Sequence, residues 1–206
     1  VLTHDLRTPL SAMLLCAEKL AFQLPDDPSV QRTLAQMESS GWRMARMVEQ
    51  LLDFSRIRTG GLHLELGDCD GGAVVSAVVE EARRANPKAE VQLRVDGPLP
   101  LRADADRLSQ VVSNLLNNAI VHGAGGPVVV EVERGAGGVS IAVSNQGVID
   151  EELLPRLFEP FKSSFRPSQG LGLGLYIAHQ FVLAHGGQLC AGNVDGRVRF
   201  EARIPA

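Results

Sequence analysis

The sequence lacks the features that mark several large classes of protein. Its three cysteines (Cys16, Cys69 and Cys190) are odd in number and form no C-x-x-C pair, which argues against a disulfide framework and favours a reducing compartment. No run approaches the roughly 18 to 20 apolar residues that cross a bilayer, and no signal peptide opens the chain. Lysine and arginine are scattered and the formal net charge is −4, so a nucleic-acid surface is not indicated. We therefore expect a cytoplasmic fragment of a longer protein, with no membrane segment in this stretch and no nucleic-acid partner.

Two long helices are predicted at the amino end. Apolar residues recur there in alternating steps of four and three, which is the spacing of a heptad-type helical seam. A break at 25–28 separates the two seams, and Asp27 or Ser29 is a suitable N-cap for the second helix. The first seam comprises Leu6, Leu10, Met13, Ala17, Leu20 and Leu24, and the second comprises Leu34, Met37, Gly41, Met44, Val48 and Leu51.

The two helices predict an antiparallel helical hairpin. A lone hairpin has one narrow apolar stripe on each helix and cannot enclose a core, whereas two hairpins pack into a four-helix bundle. We therefore predict a homodimer in which the hairpins form a dimeric four-helix bundle. The alternative is a hairpin that folds back on its own second domain, and the length of the seams favours the bundle.

After Gly60 and Gly61 the pattern changes to short alternating stretches with helical periods between them, which predicts a two-layer α/β sandwich. The fold class is therefore α+β, with a helical hairpin at 1–60 and a sandwich domain at 61–206. The predicted strands are 62–66, 91–95, 128–132, 139–143, 188–191 and 197–204, and the predicted helices are about 70–85, 104–122 and 173–185.

His4 is the first candidate for chemistry. It lies two residues before the seam residue Leu6, and each residue turns the helix by about 100°. His4 therefore points away from the seam toward solvent, where a second domain can reach it. Asp5 can hydrogen-bond the ring or accept its proton, which fixes the tautomer and leaves the other nitrogen as nucleophile. Thr8 lies one turn along the same face, where a hydroxyl can orient water against a phosphorylated ring. Taken alone, His4 and Asp5 would be a solvated pair, so the assignment depends on the rest of the chain.

One face of the predicted 104–122 helix carries amides instead of charges. Gln110, Asn114, Asn117 and Asn118 fill the arc opposite the apolar residues. Asparagine is a poor helix former, so this cluster costs helix stability and indicates a ligand. Amide oxygens at Asn114 and Asn118 can coordinate Mg²⁺ and reach phosphates without adding negative charge. The alternative is a polar face that is only solvated, but such a face usually shows Lys and Glu.

A glycine run, Gly170, Gly172 and Gly174, opens the last predicted helix. Glycines allow close backbone approach, and the free N–H groups of a helix start favour phosphate oxygens. The spacing differs from both the G-x-G-x-x-G and the Walker patterns, so those two nucleotide folds are disfavoured. In the polar segment before the run, Lys162 or Arg166 can either close over phosphates or remain solvated.

Taken in this order, the motifs resemble the catalytic core of sensor histidine kinases of two-component systems, over nearly all of the chain. The H-box is matched at 4–10, the N-box at 114–122, the F-box at 158–161 and the G2 box at 170–175. The resemblance implies a dimeric phosphoacceptor hairpin followed by a Bergerat-type ATP-binding domain.

By that resemblance, ATP phosphorylates His4, and the phosphoryl group passes to an aspartate of a response-regulator receiver domain. Asp5 would be the acid/base partner, Thr8 would assist a reverse phosphatase reaction, and Asn118 would hold Mg²⁺. The implied nucleotide-binding residues are Asn114, Asn118, His122, Asn145, Gly147, Lys162, Gly170, Gly172, Gly174 and Leu175.

Three departures from the family pattern bear on ATP binding. The family's G1 box has an aspartate that accepts a hydrogen bond from the adenine amino group. Here Asn145 stands at that place, and the box lacks its second glycine and is one residue short. An amide oxygen accepts the same bond without charge assistance, so we expect Asn145→Asp to tighten ATP binding about tenfold, roughly 1.4 kcal/mol. In addition, the family's N-box lysine corresponds to Val121, and the segment between Phe161 and Gly170 is short.

Two other functions stay open at this point. A degenerate core would dimerise and dock a receiver or another kinase with little phosphorylation. An ATP-hydrolysing machine of the gyrase or chaperone kind would share the Bergerat fold, but Asn114 replaces its glutamate, and loss of a general base costs about 10²- to 10⁴-fold in rate.

His63, His179 and His185 lack the spacing of helical metal ligands and are interpreted as structural or surface residues.

Overall fold

The computed structural model describes residues 12–17, 19–22, 27–135, 137–162 and 171–205. The chain divides into two compact units, one comprising the residues through Gly60 with 171–173, and the other comprising Gly61–Lys162 and the residues from Gly174 onward. Within the described ranges, every helix is too short or too polar to span a membrane. The predictions made for His4, Asp5, Thr8, Arg166 and Gly170 fall outside the described residues.

The first unit contains a long helix, α1 (Pro28–Arg58), which follows helical residues at 12–17 and 19–22. Asp27 is the N-cap, as predicted, because its carboxylate accepts hydrogen bonds from the backbone N–H groups of Ser29 at 2.8 Å and Val30 at 3.2 Å. The Gln31 side chain donates to the carbonyl oxygen of Ala21 at 2.7 Å and so ties the start of α1 to the helical residues before it.

The two helical segments run antiparallel and touch at a glycine. A Cβ added to Gly41 would lie only 2.6 Å from Cδ2 of Leu14, so the absence of a side chain lets the helices approach closely. The hydrogen bond between Gln31 and Ala21 joins the near ends of the two segments, and the contact between Gly41 and Leu14 joins residues further along both of them. The two segments therefore form a hairpin. The hairpin prediction is therefore confirmed for the described residues.

The apolar seams are only partly covered within the hairpin. Ala17 and Leu34 are 2% and 4% exposed, and Gly41 is also buried. The remaining described seam residues include large apolar side chains that are about half exposed, namely Met13, Leu20, Met37, Met44 and Leu51. The described part of each hairpin helix therefore presents an apolar stripe that the other helix of the hairpin leaves partly uncovered.

The second unit is a two-layer α/β sandwich, as predicted. Its five-stranded sheet has the order β2-β4-β5-β7-β6, with β2 and β4 parallel and the other neighbours antiparallel, and β1 and β3 form a separate antiparallel pair. The helices are α2 (Gly71–Ala85), α3 (Ala105–His122) and α4 (Gly174–Ala184), and a 3₁₀ turn covers Leu154–Arg156. The strands are β1 (Gly67–Asp70), β2 (Val91–Val95), β3 (Pro100–Ala103), β4 (Val128–Gly135), β5 (Gly138–Gln146), β6 (Gln188–Val194) and β7 (Arg197–Pro205).

The core lies between the three helices and one face of the large sheet. Along strands β4 and β7, buried apolar side chains alternate with more exposed side chains, most of which are charged. Strand β5 is buried at seven of its nine positions because it is the central strand. Side chains that are essentially inaccessible on the facing elements include Val75, Leu108, Leu115, Ile141, Ile177, Phe181 and Phe200.

One strand prediction is wrong and two strands were not predicted. Residues 62–66 have no strand partner, although their polar and apolar residues alternate. The backbone N–H of Glu65 instead donates to the carboxylate of Asp104 at 3.0 Å, so a side chain takes the place of a strand ladder. Strands β1 and β3 are only four residues long, and such short strands carry too little alternation to be recognised from the sequence.

Candidate active site

The helix that carries the amide face begins at a buried aspartate. Asp104 caps α3 by accepting the backbone N–H of Arg107 at 3.1 Å, and its other carboxylate oxygen accepts the N–H of Glu65. Burial raises the pKa of Asp104, but the two backbone donors and the nearby Arg107 charge together outweigh burial and hold the pKa below its ordinary value. This carboxylate therefore fixes both the start of α3 and the segment that precedes β1.

A histidine ties the start of α3 to the end of α4. The backbone N–H of Asp104 donates to Nε2 of His185 at 3.1 Å, while Nδ1 of the same ring lies 2.7 Å from the carbonyl oxygen of Phe181. The ring therefore carries its proton on Nδ1, which donates to that carbonyl. The Arg107 guanidinium also lies 5.1 Å from the centre of the Phe181 ring. His185 is a structural residue, as predicted, and α3 and α4 are antiparallel neighbours.

This pairing brings the amide face of α3 to the first turn of α4. Arg107 on α3 lies beside Phe181 on α4, and the two helices are antiparallel. Seven residues forward along α3 lead to Asn114, and seven residues back along α4 lead to Gly174. Because both helices rise equally per residue, the start of α4 lies near Asn114. Nδ2 of Asn114 is buried and has no hydrogen-bond partner among the described residues. An unsatisfied buried amide costs about 1–3 kcal/mol, and acceptor oxygens on a ligand would remove that cost. Because free N–H groups of a helix start favour anionic oxygens, this end of the helical layer suits phosphates.

Asn118 fits a magnesium ion that arrives together with phosphates. Its side chain is half-buried, and no hydrogen bond in the described part of the chain uses its amide. Asn117 and His122 are more exposed, and each already has an interaction partner. The described ranges contain no cluster of three His, Cys, Asp or Glu residues that could hold a metal ion. A lone amide oxygen suits Mg²⁺ when phosphate oxygens and water supply the other ligands.

Asn145 lies at the end of β5, against the segment that follows α3. Its side chain is 3% exposed, and Nδ2 donates to the backbone carbonyl of Gln146 at 2.9 Å. A Cβ added to Gly123 would lie 3.6 Å from Cβ of Asn145, so the chain after α3 passes directly over this side chain. Gly147 follows with φ = +133°, a conformation that favours glycine.

Two contacts, both missed by the sequence analysis, hold the segment that follows Gly147. The amide of Asn193 donates to the carbonyl of Ile149 at 2.8 Å and accepts its N–H at 2.9 Å, so one side chain satisfies both backbone groups of that residue. Further along, the Phe158 ring stacks on His179 of α4, with the ring centres 4.8 Å apart and the planes 10° from parallel. Nothing local in the sequence marks either pair, because the partners are far apart along the chain.

His179 is a half-buried residue rather than a surface one. Burial lowers the pKa of its imidazole, and Nδ1 is buried without a hydrogen-bond partner among the described residues. The ring therefore stays neutral at neutral pH and packs as an aromatic surface for Phe158.

Lys162 lies at the end of this segment and is paired with a carboxylate. Its Nζ is 3.7 Å from Glu159, whose other neighbour is the Arg156 guanidinium at 3.2 Å. The hydrogen bond from Arg156 lowers the pKa of Glu159, with a smaller contribution from Lys162. This exposed ion pair is weak, and both predicted alternatives for Lys162, closing over phosphates or remaining solvated, stay predictions.

The described part of the glycine run leads into the last helix, as the sequence analysis expected. Gly172 adopts φ = +68°, which favours glycine, and Gly174 is the first residue of α4. Leu175 is half-buried, and its backbone N–H belongs to the first turn of α4, where such groups have no intrahelical acceptor.

Comparison with known proteins identifies the family. Residues 103–206 match the family described as "Histidine kinase-, DNA gyrase B-, and HSP90-like ATPase", and residues 1–60 match the "His Kinase A (phospho-acceptor) domain". A bacteriophytochrome of Pseudomonas aeruginosa is 35% identical over 100% of this chain and 29% of its own length. The sensor histidine kinase TrcS of Mycobacterium tuberculosis is 36% identical over 98% of this chain and 42% of its own length. The chain therefore spans less than half the length of these relatives.

Solved structures show the same relationship. Full-length ShkA in complex with AMPPNP superimposes with a TM-score of 0.75 at 28% identity, over 100% of this chain and 45% of ShkA. The mycobacterial sensor histidine kinase MprB superimposes with a TM-score of 0.61 at 28% identity, over 68% of this chain and 97% of that structure. The chain thus belongs to the histidine kinases, as a catalytic core in which a phosphoacceptor region precedes an ATPase-type domain.

Proposed function

We propose that this chain is the catalytic core of a two-component histidine kinase that uses ATP to phosphorylate His4 and passes the phosphoryl group to an aspartate of a response-regulator receiver domain. In this proposal, 1–60 is the dimerisation and phosphoacceptor hairpin and 61–206 is the ATP-binding domain, in the cytoplasm. The observation that carries the proposal is the orphaned amide of Asn114 near the first turn of α4.

The nucleotide would lie along the second half of α3 and the segment that follows it. Asn145 would accept a hydrogen bond from the base, and Gly147 would give room for it. Asn118 would hold Mg²⁺, which neutralises charge on the phosphate oxygens. The remaining contacts to the triphosphate would come from Asn114, His122, Lys162, Gly170, Gly172, Gly174 and Leu175. For Lys162 this requires release from Glu159, and their exposed ion pair is weak enough to allow it.

At the phosphoacceptor, one ring nitrogen of His4 attacks the γ-phosphorus while Asp5 takes the proton from the other nitrogen. The bond between the γ-phosphorus and the bridging oxygen breaks, and ADP leaves with the electron pair. In the second step the receiver carboxylate attacks the same phosphorus and the phosphorus–nitrogen bond breaks. Thr8 would orient the water that hydrolyses the receiver phosphate in the reverse, phosphatase, direction.

The hairpin would form a homodimer. The half-exposed stripe of Met13, Leu20, Met37, Met44 and Leu51 is the surface that a second hairpin would cover. Complete burial of an exposed side chain of this kind is worth about 1.5–3 kcal/mol, so covering the exposed half contributes roughly 0.7–1.5 kcal/mol for each residue.

The test is autophosphorylation of the purified chain with γ-labelled ATP and Mg²⁺. We expect acid-labile label on the unaltered chain, none on His4→Gln, and normal label on His63→Gln, a matched change at an exposed histidine. ADP binding, measured by calorimetry, should survive His4→Gln. Label retained by His4→Gln would show that another residue is the acceptor.

The competing function is a degenerate core that docks a receiver or another kinase without phosphorylation. The altered G1 box is the observation in its favour. A chain that dimerises but neither binds ATP at millimolar concentration nor acquires label would establish this function and overturn the kinase proposal.

A further inference from the structure

The backbone that follows β5 crosses the tip of the β6–β7 hairpin. Strand β5 pairs with β7 as far as its last residue, and the N–H of Gly147 then donates to the carbonyl of Gly196 at 3.4 Å. Two residues further on, Ile149 bonds to the side chain of Asn193, which lies on β6. Residues 147–149 therefore pass from β7 to β6 across the end of the hairpin, and we call them the crossing segment.

The hairpin gives the crossing segment a well-defined support. Asp195 and Gly196 form a two-residue turn between the paired residues Val194 and Arg197, with φ values of +50° and +73°. Positive φ at both central residues is the geometry of a type I′ turn, whose twist matches that of the flanking strands. Asn193 comes just before this turn, and the ladder between β6 and β7 continues on both sides of it, so the sheet fixes its backbone.

One side chain satisfies both backbone groups of Ile149. Oδ1 of Asn193 accepts the N–H at 2.9 Å, and Nδ2 donates to the carbonyl oxygen at 2.8 Å. An amide offers a donor and an acceptor side by side, whereas a carboxylate offers only acceptors. Val148 is 74% exposed, so packing of its side chain adds little to the order of the crossing segment. The two hydrogen bonds from Asn193 are therefore the main constraint on the conformation of this segment beyond Gly147.

We propose, building on the ATP site proposed above, that Asn193 is a positioning residue for nucleotide binding: its amide holds the crossing segment in the conformation that leaves room for the base beside Gly147. Asn193 itself would not touch the nucleotide. It acts on the fraction of molecules whose crossing segment is in place before the nucleotide arrives, and the observed affinity falls in proportion to that fraction.

The first experiment measures ADP binding in the presence of Mg²⁺ by calorimetry for the unaltered chain, Asn193→Ala and Gln188→Ala. Gln188 is the matched control because it is exposed and lies at the other end of β6. Loss of both hydrogen bonds frees the crossing segment, so we expect Asn193→Ala to bind ADP about five- to tenfold more weakly and Gln188→Ala to bind normally. Equal affinities of Asn193→Ala and the unaltered chain would overturn the inference while leaving the nucleotide site intact. Failure of the unaltered chain to bind ADP would instead overturn the proposed function.

The second experiment separates the hydrogen bonds from the shape of the side chain. Asn193→Asp keeps the shape and the acceptor for the N–H of Ile149, but it sets an oxygen against the carbonyl of the same residue. We expect this variant to bind ADP at least about threefold more weakly than the unaltered chain. Binding equal to or tighter than that of the unaltered chain would overturn the role of the amide. If Asn193→Ala does not fold, judged by circular dichroism, Asn193→Asp decides.

Autophosphorylation kinetics distinguish positioning from a general loss of structure. Bound ATP favours the molecules whose crossing segment is in place, so saturating ATP should restore the rate. We expect the apparent KM for ATP to rise about threefold or more in Asn193→Asp, with less than a twofold change in the rate at saturating ATP. A fall in the saturating rate with an unchanged KM would contradict the inference.

Discussion

Removal of the Asp104 carboxylate should destabilise the second unit strongly, because one side chain satisfies two backbone donors. Its oxygens accept the N–H of Arg107 at 3.1 Å and that of Glu65 at 3.0 Å, and the residue is only 7% exposed. Loss of an N-cap costs about 0.5–2 kcal/mol, and a hydrogen bond to a charged group contributes about 1.5–3 kcal/mol. Asp104→Ala should therefore lower the free energy of unfolding by about 2–5 kcal/mol.

The same reasoning predicts how this stabilisation depends on pH. Burial raises the pKa of Asp104, but the N–H donors of Glu65 and Arg107, together with the Arg107 charge, bring the pKa below its ordinary value of 3.8. A carboxyl group whose pKa is lower in the folded state stabilises that state above the unfolded pKa, and the stabilisation disappears as the pH falls through the folded pKa. Asp104→Ala should therefore remove part of the loss of stability below about pH 4.

Urea unfolding curves at neutral pH would measure the effect, with Asp106→Ala as the matched control. Asp106 lies in the first turn of the same helix and is exposed, so its removal should cost less than about 1 kcal/mol. Hydrogen exchange at the Glu65 amide should also accelerate in Asp104→Ala. If the two alanine variants unfolded at the same urea concentration, the shared role of the Asp104 carboxylate would be refuted.

Two further predictions concern the site itself. Asn118→Ala should weaken ADP binding about tenfold or more with Mg²⁺ but little in EDTA, as calorimetry would show; equal losses in both buffers would contradict metal ligation. Burial lowers the pKa of His179 from 6.5, so its stabilisation is present above pH 6.5 and is lost as the pH falls through the folded pKa. His179→Leu should flatten this part of the melting temperature profile, and a profile identical to that of the unaltered chain would show that the ring titrates freely.

Local patterns predicted the helices well because each carries its own signal. The seams before Gly60, the amide face of α3 and the glycine at the start of α4 are all properties of a few consecutive turns. The strand predicted at 62–66 shows the limit of this reasoning. Alternation there was real, but the backbone N–H of Glu65 bonds to Asp104, which lies 39 residues away, and no local pattern reports such a partner.

The candidate site shows the same division. Asn114 and Asn118 could be selected from the sequence because asparagine is a poor helix former, and Asn145 could be selected through the resemblance to the family's G1 box. The hydrogen-bond partner of the Asn145 side chain could not be predicted, because it depends on the direction of one backbone carbonyl, that of Gln146. The stack of Phe158 on His179 likewise joins two elements that only the fold brings together.

The sequence by itself determined the helical hairpin, the two-layer sandwich and the order of the motifs, because hydrophobic periodicity and turn residues act over short stretches of chain. Only the tertiary structure decided which end of α4 meets the amide face of α3, which backbone carbonyl the Asn145 side chain contacts and which histidines are buried. Those properties depend on the directions of hydrogen bonds between distant residues, and such directions exist only once the chain has packed.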